Sequence, residues 1–180
     1  MKARFQDKYR ITTTRLQNWN YASCGAYFVT ICTKNRAAFF GKIEKSEMNL
    51  TEIGKIAHDE WLKTAEIRVD MNLELGVFII MPNHFHAIIV IGNNDYNKEI
   101  DVVGNKFGMQ SKNLASIIRG FKSAVTTRAK KAGYSHFGWQ SLYHEHIIRN
   151  AKSFENIQNY IINNPEKWES DRYAMRGASR

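Results

Sequence analysis

Four residues carry side chains whose types and spacing permit joint chemistry. His84 and His86 stand one residue apart in MPNHFHAIIVIG (81–92), at the head of a run of branched apolar residues. On an extended strand alternate residues share a face, so both imidazoles point the same way, followed by Ile88 and Val90. Phe85, Ala87, Ile89 and Ile91 point the other way. Two imidazoles side by side at a strand end can grip one divalent cation, although an isolated pair is more often two hydrogen-bonded structural histidines. Tyr160 and Asn164 are four apart in YIINNP, which places them on one helix face. A phenol beside an amide that can ligate a metal suits phosphoryl chemistry. The plainer account is a core aromatic and a helix-ending asparagine before Pro165. A second pair, His144 and His146 in YHEH, shares a strand face. Structural roles or phosphate contacts are favoured there over a second metal site. His58 and His136 have no partner in sequence.

Missing motifs narrow the chemistry. There is no GxxxxGK[ST] phosphate loop, so nucleotide hydrolysis is not indicated. No CxxC pair points to a zinc finger, and no GxSxG elbow to a serine hydrolase. Cys24 and Cys32 make no disulfide framework and read as reduced thiols. No run of about 18 apolar residues is present, and the polar start MKARFQDKYRITTTR lacks an apolar signal core, so a cytoplasmic protein without a membrane partner is expected.

Charge points toward a polyanion. Lys and Arg total 26 against 17 Asp and Glu, a net +9. Residues 111–133 include Lys112, Arg119, Lys122, Arg128, Lys130 and Lys131 with no acidic residue, and the N-terminal stretch adds Lys2, Arg4, Lys8, Arg10 and Arg15 against Asp7 alone. Each phosphate neutralised by such a cluster releases counterions. A merely solvated basic surface has the same composition.

These residues need elements to position them. Residues 26–34 are rich in β-branched and aromatic types and predict a strand. Residues 51–67 place Ile53, Ile56, Ala57, Trp61 and Leu62 at helical spacing after a capping Thr51. Strands over 73–81 and 84–92 are joined so tightly by Met81-Pro82-Asn83 that an antiparallel hairpin follows. The polar stretch 93–110 is expected to be a mobile loop. A basic amphipathic helix over 113–131 turns Leu114, Ile117, Ile118, Phe121 and Val125 inward. A strand over 141–149 precedes a last helix over 153–164, capped by Ser153 and ended by Pro165. The order strand, helix, strand, strand, helix, strand, helix gives an α+β domain. It is a ferredoxin-like antiparallel sheet with helices packed on one face, plus a C-terminal helix carrying Tyr160. The 180 residues make one domain, with a basic arm over 1–24 and a tail over 169–180.

Taken in order, GAYFVTICTKNR, MPNHFHAIIVI, IIRGFKSAVT, WQSLYHEHIIRN and IQNYIINNPEKW resemble the single-tyrosine HUH transposases (the IS200-like family), and among them the REP-associated tyrosine transposases most. The resemblance runs from about Tyr27 to Trp168. It implies that His84-Phe85-His86 is the HUH motif, that Tyr160 is the nucleophile, and that Asn164 completes a metal site with the two histidines. Asn163 is a rival only three residues from Tyr160. The implied activity is metal-dependent cleavage and rejoining of single-stranded DNA through a 5′-phosphotyrosine, with Mg²⁺ or Mn²⁺. Imidazole suits Mg²⁺ poorly, so Mn²⁺ is expected to serve at least as well. The implied partner is a hairpin-forming element end or a REP-like palindrome. Arg4, Arg10, Arg15, Lys112, Arg119 and Lys122 are the candidates for tracking its backbone. Some relatives are dimers and others act as monomers, so a homodimer stays open. A non-catalytic nucleic-acid-binding module on the same sheet is the alternative, although the glycine and aromatic pattern of RNA-binding sheets is not evident in Tyr27–Cys32. A phosphodiesterase without a covalent step is a third.

Overall fold

The computed structural model describes residues 19–98 and 111–170. Four strands form one antiparallel sheet: β1 (Gly25–Cys32), β4 (Leu73–Met81), β5 (His84–Ile91) and β6 (His144–Ile148), in the order β4-β5-β1-β6. The chain therefore enters at an inner strand, crosses to an edge, returns by hairpin to the other inner strand, and crosses again to the opposite edge. That is the ferredoxin-like order expected from the sequence. Helix α1 (Glu52–Ile67) makes the first crossing and α2 (Leu114–Lys131) the second.

Sheet alternation decides which residues meet. Tyr27, Val29, Ile31, Phe85, Ala87, Ile89 and Ile91 lie on one face and form the main core with Ile53, Ala57 and Trp61 of α1 and Leu114, Ile117, Ile118, Phe121 and Val125 of α2. The inward stripe of α2 is the predicted one. On α1, Leu62, one of the apolar residues at helical spacing, is 45% exposed, because the stripe through Ile53, Ala57 and Trp61 is already the arc that meets the sheet. Thr51 caps α1 as expected, accepting from the Gly54 amide at 3.2 Å.

The other face of the sheet is covered by α3 (Ala151–Ile162), which packs on β4 and β5. Its cap is Asn150 rather than Ser153: the Asn150 side chain accepts from the Ser153 amide at 2.8 Å, so the helix begins a turn earlier than predicted. A smaller cluster of Ile88, Ile148 and Ile161, with Phe28, Val77, Ile79, Phe154 and Ile157 against it, holds α3 down.

The short hairpin of β2 (Gly41–Glu44) and β3 (Glu47–Leu50) was not foreseen from the sequence. Its strands are too short and too mixed in polarity to display a period. The predicted strand over 141–149 narrows to β6. Beforehand the chain is held instead by the Thr33–Trp139 bridge and by the Gln140 amide donating to the Cys32 carbonyl at 2.9 Å. No helix among the described residues is long and apolar enough to cross a membrane. Of the predicted arm, loop and tail, residues 1–18, 99–110 and 171–180 lie outside the described residues.

Phe85 joins fold to site. It separates the two histidines in sequence, has no solvent exposure, and packs its ring 4.9 Å from Trp61 and 5.3 Å from Phe121. Phe85→Ala should remove about 3–5 kcal/mol of stability, the usual cost of a large core cavity. A urea unfolding series compared with the parent protein measures it.

Candidate active site: a buried histidine pair under a tyrosine helix

Both histidines sit on β5, an inner strand, on the face opposite the main core. Neither has any solvent exposure, and their rings meet edge to face with centroids 4.5 Å apart. A buried imidazole costs free energy unless its nitrogens are matched. His84 is matched by its own neighbour. Its Nδ1 lies 2.9 Å from Asn83 Oδ1, while Asn83 Nδ2 donates to the Arg36 carbonyl at 3.2 Å. That second bond fixes the amide, because turning it over would set oxygen against oxygen at Arg36. The Oδ1 can only accept, so Nδ1 of His84 carries the hydrogen and Nε2 of the neutral ring keeps its lone pair. The turn holding Asn83 is itself fastened. The Thr33 amide donates to the Asn83 carbonyl at 2.9 Å and the Phe40 amide to the Pro82 carbonyl at 3.0 Å.

His86 has a cross-strand partner. Its Nδ1 lies 2.8 Å from Thr30 Oγ1 on β1, the residue directly opposite in register. Its Nε2 faces Tyr160 Oη at 3.3 Å, with ring centroids 5.3 Å apart. Phe28 sets the tyrosine ring from below, edge on at 6.1 Å. Tyr160 remains 39% exposed. One turn beyond α3, Trp168 stacks over His84 with centroids 6.0 Å apart and planes 28° apart. The two aromatic residues thus roof the two imidazoles.

Asn164 lies between them in sequence, four residues from each, and is 2% exposed. Its Oδ1 is buried and has no hydrogen-bond partner among the described residues. A buried amide oxygen of this kind, just beyond the tyrosine helix, calls for a water or an ion as its partner. Together with two imidazoles whose Nδ1 atoms are already held, it makes a donor set that fits a divalent ion, Mn²⁺ more comfortably than Mg²⁺. Among the described residues no group of three or more His, Cys, Asp or Glu lies together as a metal cluster. Asn163 is half-buried and ends α3 with its backbone amide donating to the Asn159 carbonyl at 3.0 Å.

The basic candidates divide. Lys122 points inward, donating to the carbonyls of Gln140 at 2.5 Å and Ser141 at 3.2 Å, and burial pushes its pKa below the usual lysine value. Its role is to fasten the segment before β6. Lys112 pairs with Asp70 and lies 4.9 Å from the Tyr96 ring centroid. The hydrogen bond from Lys112 lowers the Asp70 pKa, and Asp70 in turn raises that of Lys112. Arg119 is exposed on α2. Arg4, Arg10 and Arg15 lie outside the described residues. Sequence reasoning missed Thr30, Asn83 and Trp168. Asn83 alone carried a signal, its place between the hairpin proline and the first histidine.

An antiparallel ferredoxin-like sheet with a buried histidine pair on the face that a tyrosine-bearing C-terminal helix covers defines the class of protein. No protein-family model matches the chain. A Haemophilus influenzae protein described as uncharacterized is 37% identical over 166 residues, covering 87% of this chain and 89% of its own length. The REP-associated tyrosine transposase of Escherichia coli is 22% identical over 149 residues, covering 82% of this chain and 70% of its own. A solved REP-associated tyrosine transposase bound to a REP hairpin shares the fold, with a TM-score of 0.59 at 20% identity over 87% of this chain and 74% of that one. The chain belongs to one family with the Haemophilus influenzae protein, and that family stands among the relatives of the REP-associated tyrosine transposases.

The hydrogen-bond network makes a direct prediction. In ¹⁵N-imidazole spectra at neutral pH, His84 should appear as the Nδ1–H tautomer. In Asn83→Ala it should lose that preference, with the fold otherwise retained.

Proposed function

We propose that the protein is a single-tyrosine DNA transposase, acting as one domain, that cuts and rejoins single-stranded DNA through Tyr160. The observation that carries this reading is Tyr160 Oη, partly exposed and 3.3 Å from His86 Nε2, on the face of the buried histidine pair. The DNA hairpin named with the solved relative supports a hairpin-forming partner here.

Tyr160 attacks the scissile phosphorus through Oη. The Oη–P bond forms, the bond to the 3′ oxygen breaks, and the strand bearing the 5′ phosphate stays on the protein. The covalent phosphodiester keeps the bond energy for rejoining, so no nucleotide cofactor is needed. Held by His84, His86 and Asn164, Mg²⁺ or Mn²⁺ would draw negative charge from the phosphate oxygens. Asn83 and Thr30 hold the two rings through their Nδ1 atoms, which fixes the orientation of each. Phe28 keeps the phenol from swinging away. Arg119, exposed on α2, stays a candidate for contact with the DNA backbone, while Lys112 pairs with Asp70 and Lys122 donates to backbone carbonyls.

Single-stranded oligonucleotides from the DNA flanking the gene, incubated with Mn²⁺ and run on a denaturing gel, test this. The parent protein should give a protein–DNA adduct that EDTA abolishes, and Tyr160→Phe should give none. Cleavage without an adduct would favour a phosphodiesterase, and binding without cleavage a nucleic-acid-binding module. By calorimetry, Asn83→Ala should weaken Mn²⁺ binding about 10–100-fold, the usual cost of losing the partner of a ligating histidine. An unchanged affinity would sink the metal assignment of His84.

A further inference from the structure

The second histidine pair lies on the same sheet face as the first. In β1–β6 register Thr30 stands opposite His144 and Phe28 opposite His146, while in β1–β5 register the same two residues stand opposite His86 and Ile88. Directly opposed residues of an antiparallel sheet project to one face. His86, Thr30 and His144 therefore form a single row across three strands, and Ile88, Phe28 and His146 the next. At about 4.8 Å per strand, each histidine of β6 stands roughly 10 Å from its row-mate on β5. Both β6 imidazoles are exposed, and neither has a hydrogen-bond partner among the described residues. The fold makes no use of them.

Their placement fits one need that the site otherwise leaves unmet. Helix α3 lies over β4 and β5, so Tyr160 reaches a phosphate from the β5 side. In-line displacement sends the leaving oxygen out opposite the nucleophile, here toward β6. A departing 3′ alkoxide needs a proton, and imidazole is the side chain that carries one near neutral pH. We propose that the His144–His146 pair protonates the 3′ oxygen as it leaves. The step balances: the Oη–P bond forms as the P–O3′ bond breaks, one imidazolium gives its proton to O3′ and becomes neutral, and the phenolic proton passes to solvent. On rejoining, the neutral imidazole takes the proton from the attacking 3′-OH, the P–O3′ bond forms as the Oη–P bond breaks, and the Tyr160 phenolate regains a proton from solvent. The inference rests on the phosphotyrosine reading above.

A substrate with sulfur in place of the bridging 3′ oxygen tests it, because a thiolate leaves without a proton. With Mn²⁺ present, H144Q/H146Q should form adduct about 10²–10⁴-fold more slowly than the parent on the oxygen substrate. On the sulfur substrate it should stay within about threefold of the parent, as expected when the leaving group needs no general acid. Equal losses on both substrates at an unchanged melting temperature would mean a phosphate contact and would overturn the proposal. So would an unchanged rate on the oxygen substrate. If the melting temperature falls, H144Q and H146Q singly carry the same comparison. A parent protein that forms no adduct on either substrate would instead overturn the phosphotyrosine reading itself.

Discussion

The structure turns on the need to satisfy two imidazoles inside an inner strand. β5 has neighbours on both edges, the main core on one face and α3 on the other, and seven of its eight residues are buried. Such a strand ordinarily carries apolar side chains on both faces. Placing His84 and His86 there obliges the surroundings to supply a polar partner for each ring. Asn83 does so from the hairpin turn, and Thr30 from the next strand. The turn is then tied down by Thr33 and Phe40, and β1 by its pairing with both β5 and β6. The resulting imidazoles have fixed orientation, with Nε2 of His86 facing the phenol of Tyr160 and the ring of His84 lying under Trp168. Rigidity of this kind is what a site built on strands offers over one built on loops.

Helix α3 answers to two demands at once. Its apolar side, through Ile157 and Ile161, completes a minor core on the sheet, while Tyr160 sits at the boundary of that core and solvent. A phenol suits such a boundary, since its ring can pack while its oxygen stays wet. The helix stops at Ile162, two residues short of its predicted end, and the buried Asn164 follows in the turn beyond the Asn163 cap.

Much of the fold was legible because its long elements repeat cleanly. The β5 alternation and the α2 stripe each assign a face without further information. The β2–β3 hairpin was not legible, since four-residue strands of mixed polarity display no period. The α3 cap was misplaced because Asn150 and Ser153 are both good caps, and only the backbone shows which comes first. Within the site, the histidines, Tyr160 and Asn164 stand out by type and spacing. Thr30 does not: a threonine in a strand is ordinary, and only register reveals the partner 56 residues away. Charge counting treats Lys112, Arg119 and Lys122 alike, whereas the structure gives Lys112 an ion pair with Asp70 and Lys122 two backbone carbonyls, contacts that composition does not display.

The roof over the histidines has a thermodynamic corollary. With Tyr160 and Trp168 lying against rings that have no solvent exposure, the ion that the proposed function requires would reach its donors only in molecules where the Trp168 side of that roof has lifted. Apparent affinity is then intrinsic affinity scaled by the open fraction. Any second ligand that favours the lifted state raises that fraction, so the two bind with positive heterotropic coupling, and reciprocally. Neither needs to touch the other for this to hold.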